Sequence, residues 1–99
     1  MKKEIQFHPE VLEEIKGAYD WYESKVLGLG NKFLMELENS YLSIQTFPNM
    51  WANFQYGFKR YLLNRFPFSI LYKVTDKTII IVAIMHNSRK PNYWLNRIL

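Results

Sequence analysis

Thr78-Ile79-Ile80-Ile81-Val82-Ala83-Ile84-Met85 decides how the rest of the chain must be arranged. The run is rich in β-branched residues and apolar at odd and even positions alike, so as a strand it is apolar on both faces. Such a strand belongs in the middle of a sheet, covered above and below. Two further β-rich runs precede it, Phe58 to Asn64 and Phe68 to Val74, and Thr75-Asp76-Lys77 forms the turn into it. Links this short can join only antiparallel neighbours.

Upstream of Pro48 the pattern changes. Lys3 to Phe7 alternates polar and apolar residues as a short half-buried strand does, and His8-Pro9-Glu10 ends it. Val11, Leu12, Ile15, Ala18, Tyr19 and Tyr22 then recur at three- and four-residue spacing, which predicts a helix from about Pro9 to Ser24. Pro9 suits its first turn, and Glu10, Glu13 and Glu14 place negative charge at the positive end of its dipole. Trp21 lies off the apolar stripe and is expected against a neighbouring element. The glycines between Val26 and Gly30 suit a tight turn, and Asn31 is the expected N-cap of a second helix carrying Phe33, Leu34, Leu37, Tyr41 and Ile44. Phe47-Pro48-Asn49 stops that helix. The helices should pair as a hairpin and cover one face of the sheet. The other face is left to the C-terminal segment, to a partner molecule, or to both. Trp51 to Tyr56 reads equally as strand or loop, and Asn92 to Leu99 as a short helical tail after the polar turn Asn87 to Pro91.

The expected class is therefore α+β, with an N-terminal strand and helical hairpin packed on a mostly antiparallel sheet. A chain of 99 residues fits one domain spanning 1–99. Its 48% hydrophobic and 17% aromatic content is enough for a packed core, which excludes a disordered chain. No apolar run is long enough to cross a bilayer, and Met1-Lys2-Lys3 leads into Glu4 rather than a signal-peptide stretch, so no membrane association and a cytoplasmic location are expected. The absence of cysteine agrees with a reducing compartment. Charge divides unevenly: residues 1–50 carry five Lys against eight acids, a balance of −3, and residues 51–99 carry eight Lys and Arg against Asp76, a balance of +7. That asymmetry puts a positive field on the sheet, where it can attract phosphates or acidic protein segments.

Metal chemistry has no support, since His8 and His86 are not at ligand spacing and the basic half holds a single carboxylate. Neither a metal nor a cofactor is expected. Chemistry would rest on cations and aromatics. Lys59, Arg60 and Arg65 lie on the first hairpin, while His86, Arg89 and Lys90 follow the central strand, and an antiparallel sheet can bring these sets to one edge. Arg clamps phosphate, His moves protons near neutral pH, and Tyr61, Tyr93 and Trp94 can stack on bases or simply pack.

Gly57-Phe58-Lys59-Arg60, Phe66-Pro67-Phe68-Ser69-Ile70-Leu71-Tyr72, Ile79 to Ile84, and His86 with Arg89-Lys90-Pro91 and Trp94 together resemble the RelE/ParE superfamily of type II toxins. Phe7-His8-Pro9-Glu10 before two helices resembles it too, so the likeness covers nearly the whole chain. It implies growth inhibition and a cognate antitoxin whose C-terminal part wraps the toxin, supplying cover for the sheet. It also implies one of two targets. One branch poisons DNA gyrase; the other cleaves mRNA in the ribosome with basic residues and a Tyr in place of metal. In the cleaving branch an Arg commonly stands where this chain has Ser69, and a second Lys where it has Leu62. Arg60 and Arg89 match basic positions of that pattern, and Tyr93 approximates its late Tyr. The resemblance thus favours a gyrase poison. The alternatives are a metal-independent endoribonuclease, with Arg60, Arg65 and Arg89 on phosphate and His86 or Tyr93 handling protons, and a diverged binding module without toxicity.

Overall fold

The computed structural model describes residues 2–89 and 92–97. Strand β5, Thr78–His86, is the two-faced run identified above, and it sits inside a sheet of order β1-β5-β4-β3-β2. Its antiparallel neighbour β4 spans Phe68–Val74, followed outward by β3, Lys59–Leu62, and the two-residue β2, Ala52–Asn53, which resolves the ambiguous stretch before Tyr56. On its other side β1, Glu4–Phe7, pairs with β5 in parallel over Thr78 to Ile81. A parallel pair needs a long crossover. Here the helical hairpin supplies it, as α1, Glu10–Lys25, and α2, Leu29–Thr46.

β5 contains an irregularity that its composition hides. Tyr72 pairs with Ile81 but Leu71 pairs with Ala83, so Val82 is an extra residue and forms a β-bulge. Ile79, Ile81 and Ile84 consequently face the helices together with Ile70 and Tyr72 of β4, while Val82, Ala83 and Met85 face away with Leu71. On the helical side Tyr22, Phe33, Phe66 and Phe68 stack edge to face, the Tyr22–Phe66 centroids lying 4.8 Å apart and Phe33–Phe66 5.2 Å.

α2 begins at Leu29 rather than after an Asn31 cap. Gly28 turns the chain at φ 88°, and the Glu23 carboxylate of α1 accepts hydrogen bonds from the Gly28 and Gly30 N–H groups at 2.8 and 2.9 Å. A neighbouring helix thus caps these amides, and Asn31 falls inside the first turn. At Gly30 a Cβ would lie 2.7 Å from the Tyr19 ring and 2.9 Å from the Glu23 carboxylate, so any larger residue there would have to displace them. Replacing Glu23 with alanine should lower stability by about 1 kcal/mol, the usual loss of a helix cap. An unchanged urea midpoint would show that the turn holds without it.

The tail also differs from expectation. It forms no regular helix among the described residues, only a 3₁₀ turn over Leu95–Arg97, and Ile98 and Leu99 lie outside them. It nevertheless closes the second face of the sheet. Trp94 is fully buried over Phe58, Leu71, Val82, Ala83 and Met85, flanked by Phe54, Tyr93 and Leu95. Of the covers the sequence left open, the chain's own C-terminal segment supplies the one at the centre of this face. Trp21 stays largely exposed, at 58%, with the Lys25 ammonium 4.1 Å from its ring centre.

Candidate functional site

Beyond Phe7, β1 no longer reaches β5. The His8 N–H makes the last bond, to the Ile81 carbonyl at 2.9 Å, which leaves the bulge and the rest of that edge without a strand. Two side chains take the strand's place. Glu14 of α1 accepts from the Ile84 N–H at 3.0 Å, and Arg97 of the tail donates to the Val82 carbonyl at 2.9 Å. The two then pair with each other in a fork, at 3.0 and 2.9 Å, and Arg97 Nε approaches Glu10 at 3.3 Å. The Tyr93 hydroxyl donates to the same Glu14 carboxylate at 2.6 Å. Burial first, and then that bond, raise the Tyr93 pKa well above the ordinary phenol value. Tyr93 therefore stays protonated at any physiological pH.

Three of the residues singled out in the sequence, His86, Arg89 and Tyr93, lie at this end of the sheet, with Arg89 between the other two in its contacts. Arg89 stacks on the Tyr93 ring, its guanidinium carbon 4.1 Å from the ring centre. His86, at the end of β5, accepts the Ser88 N–H on Nδ1 at 3.1 Å and stands edge-on to Phe68 at 5.1 Å. With Nδ1 an acceptor, the neutral ring carries its proton on Nε2. His86 and Arg89 line one bank of a groove of about 960 Å³ that runs between α1 and the end of β5. Its other bank is α1, with Glu13, Gly17 and Trp21, and its floor holds Ala18, Tyr22, Phe68 and Ile84.

The other two candidates lie elsewhere. Arg60 is on the tail side of the sheet, where its Nε donates to Ser69 Oγ at 2.9 Å and its Nη2 to Asn87 Oδ1 at 3.2 Å. Ser69 is fully buried and donates to the same Asn87 oxygen at 2.5 Å. Asn87 follows His86 in the chain, so it ties Arg60 to the turn that carries His86 and Arg89. Arg65 is at the β3–β4 turn, where its N–H and that of Asn64 donate to the Glu36 carboxylate of α2, beside a second groove of about 400 Å³ that Arg65, Lys32 and Tyr61 line. The cations of the basic half therefore do not meet at one edge. They divide into Arg60, Arg65, and the group of Arg89 and Arg97 around Tyr93, while Lys59 is bonded to the Trp51 carbonyl and Asn53, Lys73 lies 5.6 Å from the Phe58 ring centre and Lys77 is in the β4–β5 turn. Lys90 falls outside the described residues.

Glu14, Arg97 and Asn87 are central to this arrangement and were not singled out by sequence. Glu14 reads as a dipole charge and Asn87 as part of a polar turn, and nothing in the tail's pattern points to Arg97. No local pattern links two residues whose bond closes across almost the whole chain. Among the described residues no group of His, Asp and Glu could hold a metal, and no helix is long and apolar enough to cross a membrane.

In sequence, residues 5–91 match the model of the ParE toxins of type II toxin-antitoxin systems, parDE. No curated protein shows comparable similarity. In structure, the chain is similar to one from the chromosomal ParDE toxin-antitoxin system of P. aeruginosa, with a TM-score of 0.75 and 20% identity over 86% of this chain and 96% of that one. It is also similar to a variant of E. coli toxin RelE in the free state, with a TM-score of 0.73 and 15% identity over 100% of both chains. At these identities the likeness is one of fold.

Proposed function

This chain belongs to the ParE toxin family of type II toxin-antitoxin systems, and from that membership we propose that it arrests growth by poisoning DNA gyrase, without a nucleolytic step, and is neutralised by a cognate antitoxin. The observation that carries the non-enzymatic reading is the engagement of Tyr93. Cleaving RNA without a metal needs a group that removes the proton of the attacking hydroxyl, with a pKa near the working pH. Of the two groups named for that role, the Tyr93 hydroxyl is donated to Glu14 and held protonated by burial, and His86 has its Nδ1 taken by the Ser88 N–H. Arg60 is bonded to Ser69 and Asn87, and Arg97 to Glu14, which leaves Arg65 and Arg89, in different grooves, as the candidate arginines without a side-chain hydrogen bond among the described residues. Each donor missing from such a site costs roughly 3 kcal/mol of transition-state stabilisation. The antitoxin partner is supported by the pairing in the P. aeruginosa relative, a ParDE system.

The endoribonuclease reading keeps one observation in its favour: His86 and Arg89 share a groove and Arg89 stacks on Tyr93, with Arg60 linked to their turn through Asn87. Induction of the chain without its antitoxin separates the two. Gyrase poisoning should produce a DNA-damage response and gyrase-linked DNA breaks, and Arg60→Ala with His86→Ala should leave the arrest within about two-fold. Chelator-resistant cuts in translated message, abolished by those same changes, would establish the nuclease instead. Overexpression without harm would leave the diverged binding module.

A further inference from the structure

The turn between β2 and β3 holds a residue that its geometry disfavours. The Phe58 N–H bonds the Gln55 carbonyl at 3.1 Å, and the two residues between them both have positive φ, 60° at Tyr56, with ψ 31°, and 79° at Gly57. Positive φ at both central positions marks the I′ turn of tight hairpins, whose first central residue is ordinarily Asn, Asp or Gly. Gly57 conforms. Tyr56 does not, because a bulky side chain with no polar atom near the backbone is strained in the left-handed region. Among the described residues its side chain makes no hydrogen bond, aromatic stack or cation–π contact and joins neither core cluster, and it is 61% exposed. A strained position that persists where asparagine would sit at ease, and whose side chain the fold does not use, points to a use outside the chain.

The surroundings narrow the kind of partner. From Phe47 to Phe58 no residue is charged and five are aromatic, although residues 51–99 carry a balance of +7. The cations on the adjoining strands are turned onto the protein itself. Lys59 bonds the Trp51 carbonyl and Asn53, Arg60 bonds Ser69 and Asn87 with its guanidinium 5.5 Å from the Phe54 ring centre, and Lys73 lies 5.6 Å from that of Phe58. Phosphates and acidic segments are drawn to free cations, so an uncharged tip is a poor seat for nucleic acid or for an acidic antitoxin. Its aromatic, charge-poor composition is that of the core of a protein–protein contact, and the net charge of +4 disfavours a second copy of the chain. We propose that Tyr56 is an anchor by which the toxin holds its target protein, its ring entering an apolar pocket of DNA gyrase. The proposal rests on the gyrase reading above and names a contact for it. A tyrosine on a tight turn offers a large surface with little freedom left to lose on binding.

The test measures binding of the purified chain to purified gyrase, with and without DNA, and in parallel to DNA alone and to the cognate antitoxin. Tyr56→Gly and Tyr56→Asn suit the left-handed turn, so both should melt no lower than wild type and bind the antitoxin as wild type does. They should nevertheless hold gyrase about 10-fold more weakly or worse, the loss of a buried aromatic anchor. Tyr56→Phe keeps the ring and should stay within about three-fold of wild type, and Leu42→Ala, which trims an exposed apolar side chain of α2, should change nothing. If both turn variants bind gyrase as tightly as wild type, Tyr56 is not the anchor, although the gyrase reading stands. A wild-type chain that neither binds nor inhibits gyrase removes that reading, and the proposal with it. A loss seen with DNA alone or with the antitoxin, and not with gyrase, would give the tip to that partner and overturn the proposal.

Discussion

Glu14→Ala is expected to destabilise the chain by about 3–5 kcal/mol, the range for breaking a buried ion pair from one side. The Arg97 side chain is 8% exposed and that of Glu14 13%, so the guanidinium left behind has little water to turn to. The loss is not confined to the pair. The Ile84 N–H at the bulge and the Tyr93 hydroxyl lose their acceptor in the same step, and a buried donor without a partner costs roughly 1–3 kcal/mol. Domains of this size are stable by only about 5–15 kcal/mol, so the variant should sit near the edge of folding. Glu14→Gln should be milder. Its amide oxygen can still accept the Ile84 N–H, but its NH2 cannot accept from Tyr93 or Arg97. Equilibrium urea unfolding followed by tryptophan fluorescence measures both. A loss below about 1 kcal/mol for the alanine variant would mean that the carboxylate does not hold the end of β5 together.

What made β5 legible also hid its bulge. Thr78 to Met85 announced a central strand because both of its faces are apolar. A run without alternation cannot show where one residue is inserted, since Val82 and Ala83 are apolar whichever way they point. The helical hairpin was legible from spacing, because each helix has one face to bury. The start of α2 was not, because Asn31 is a good local cap while the groups that cap α2 are the carboxylate oxygens of Glu23 in the preceding helix. The candidate site follows the same division. Arg60, Arg65, His86, Arg89 and Tyr93 could be named as residue types able to bind phosphate or move protons. Which of them share a location depends on the sheet, and the sheet puts Arg65 against α2 and Arg60 on the tail side. Residue type also says nothing of occupancy. Tyr93 reads as a base only until Glu14 is placed beside its hydroxyl.

Trp94→Ala should cost about 3–5 kcal/mol as well, by a different route. Trp94 is fully buried against the sheet face away from the helices, with its ring centre 5.1 Å from that of Phe58 and 6.2 Å from that of Phe54. Removing the indole opens a void over Leu71, Val82, Ala83 and Met85 and releases the one fully buried anchor among the described residues of the tail. Trp94→Phe should lose far less, about 1 kcal/mol, since Nε1 finds no hydrogen-bond partner among the described residues and phenylalanine leaves no such donor buried. The two large effects should not add. Glu14 holds the tail through Tyr93 and Arg97, and Trp94 holds it from the other side of the same turn, so once either grip is lost the other has less left to secure. The Glu14→Ala, Trp94→Ala double variant should therefore be more stable than the sum of the single losses implies, by about 0.5–3 kcal/mol. Strict additivity in a double-mutant cycle would show that the tail's two attachments act independently, and that the cover over the sheet does not depend on the carboxylate that replaces the missing end of β1.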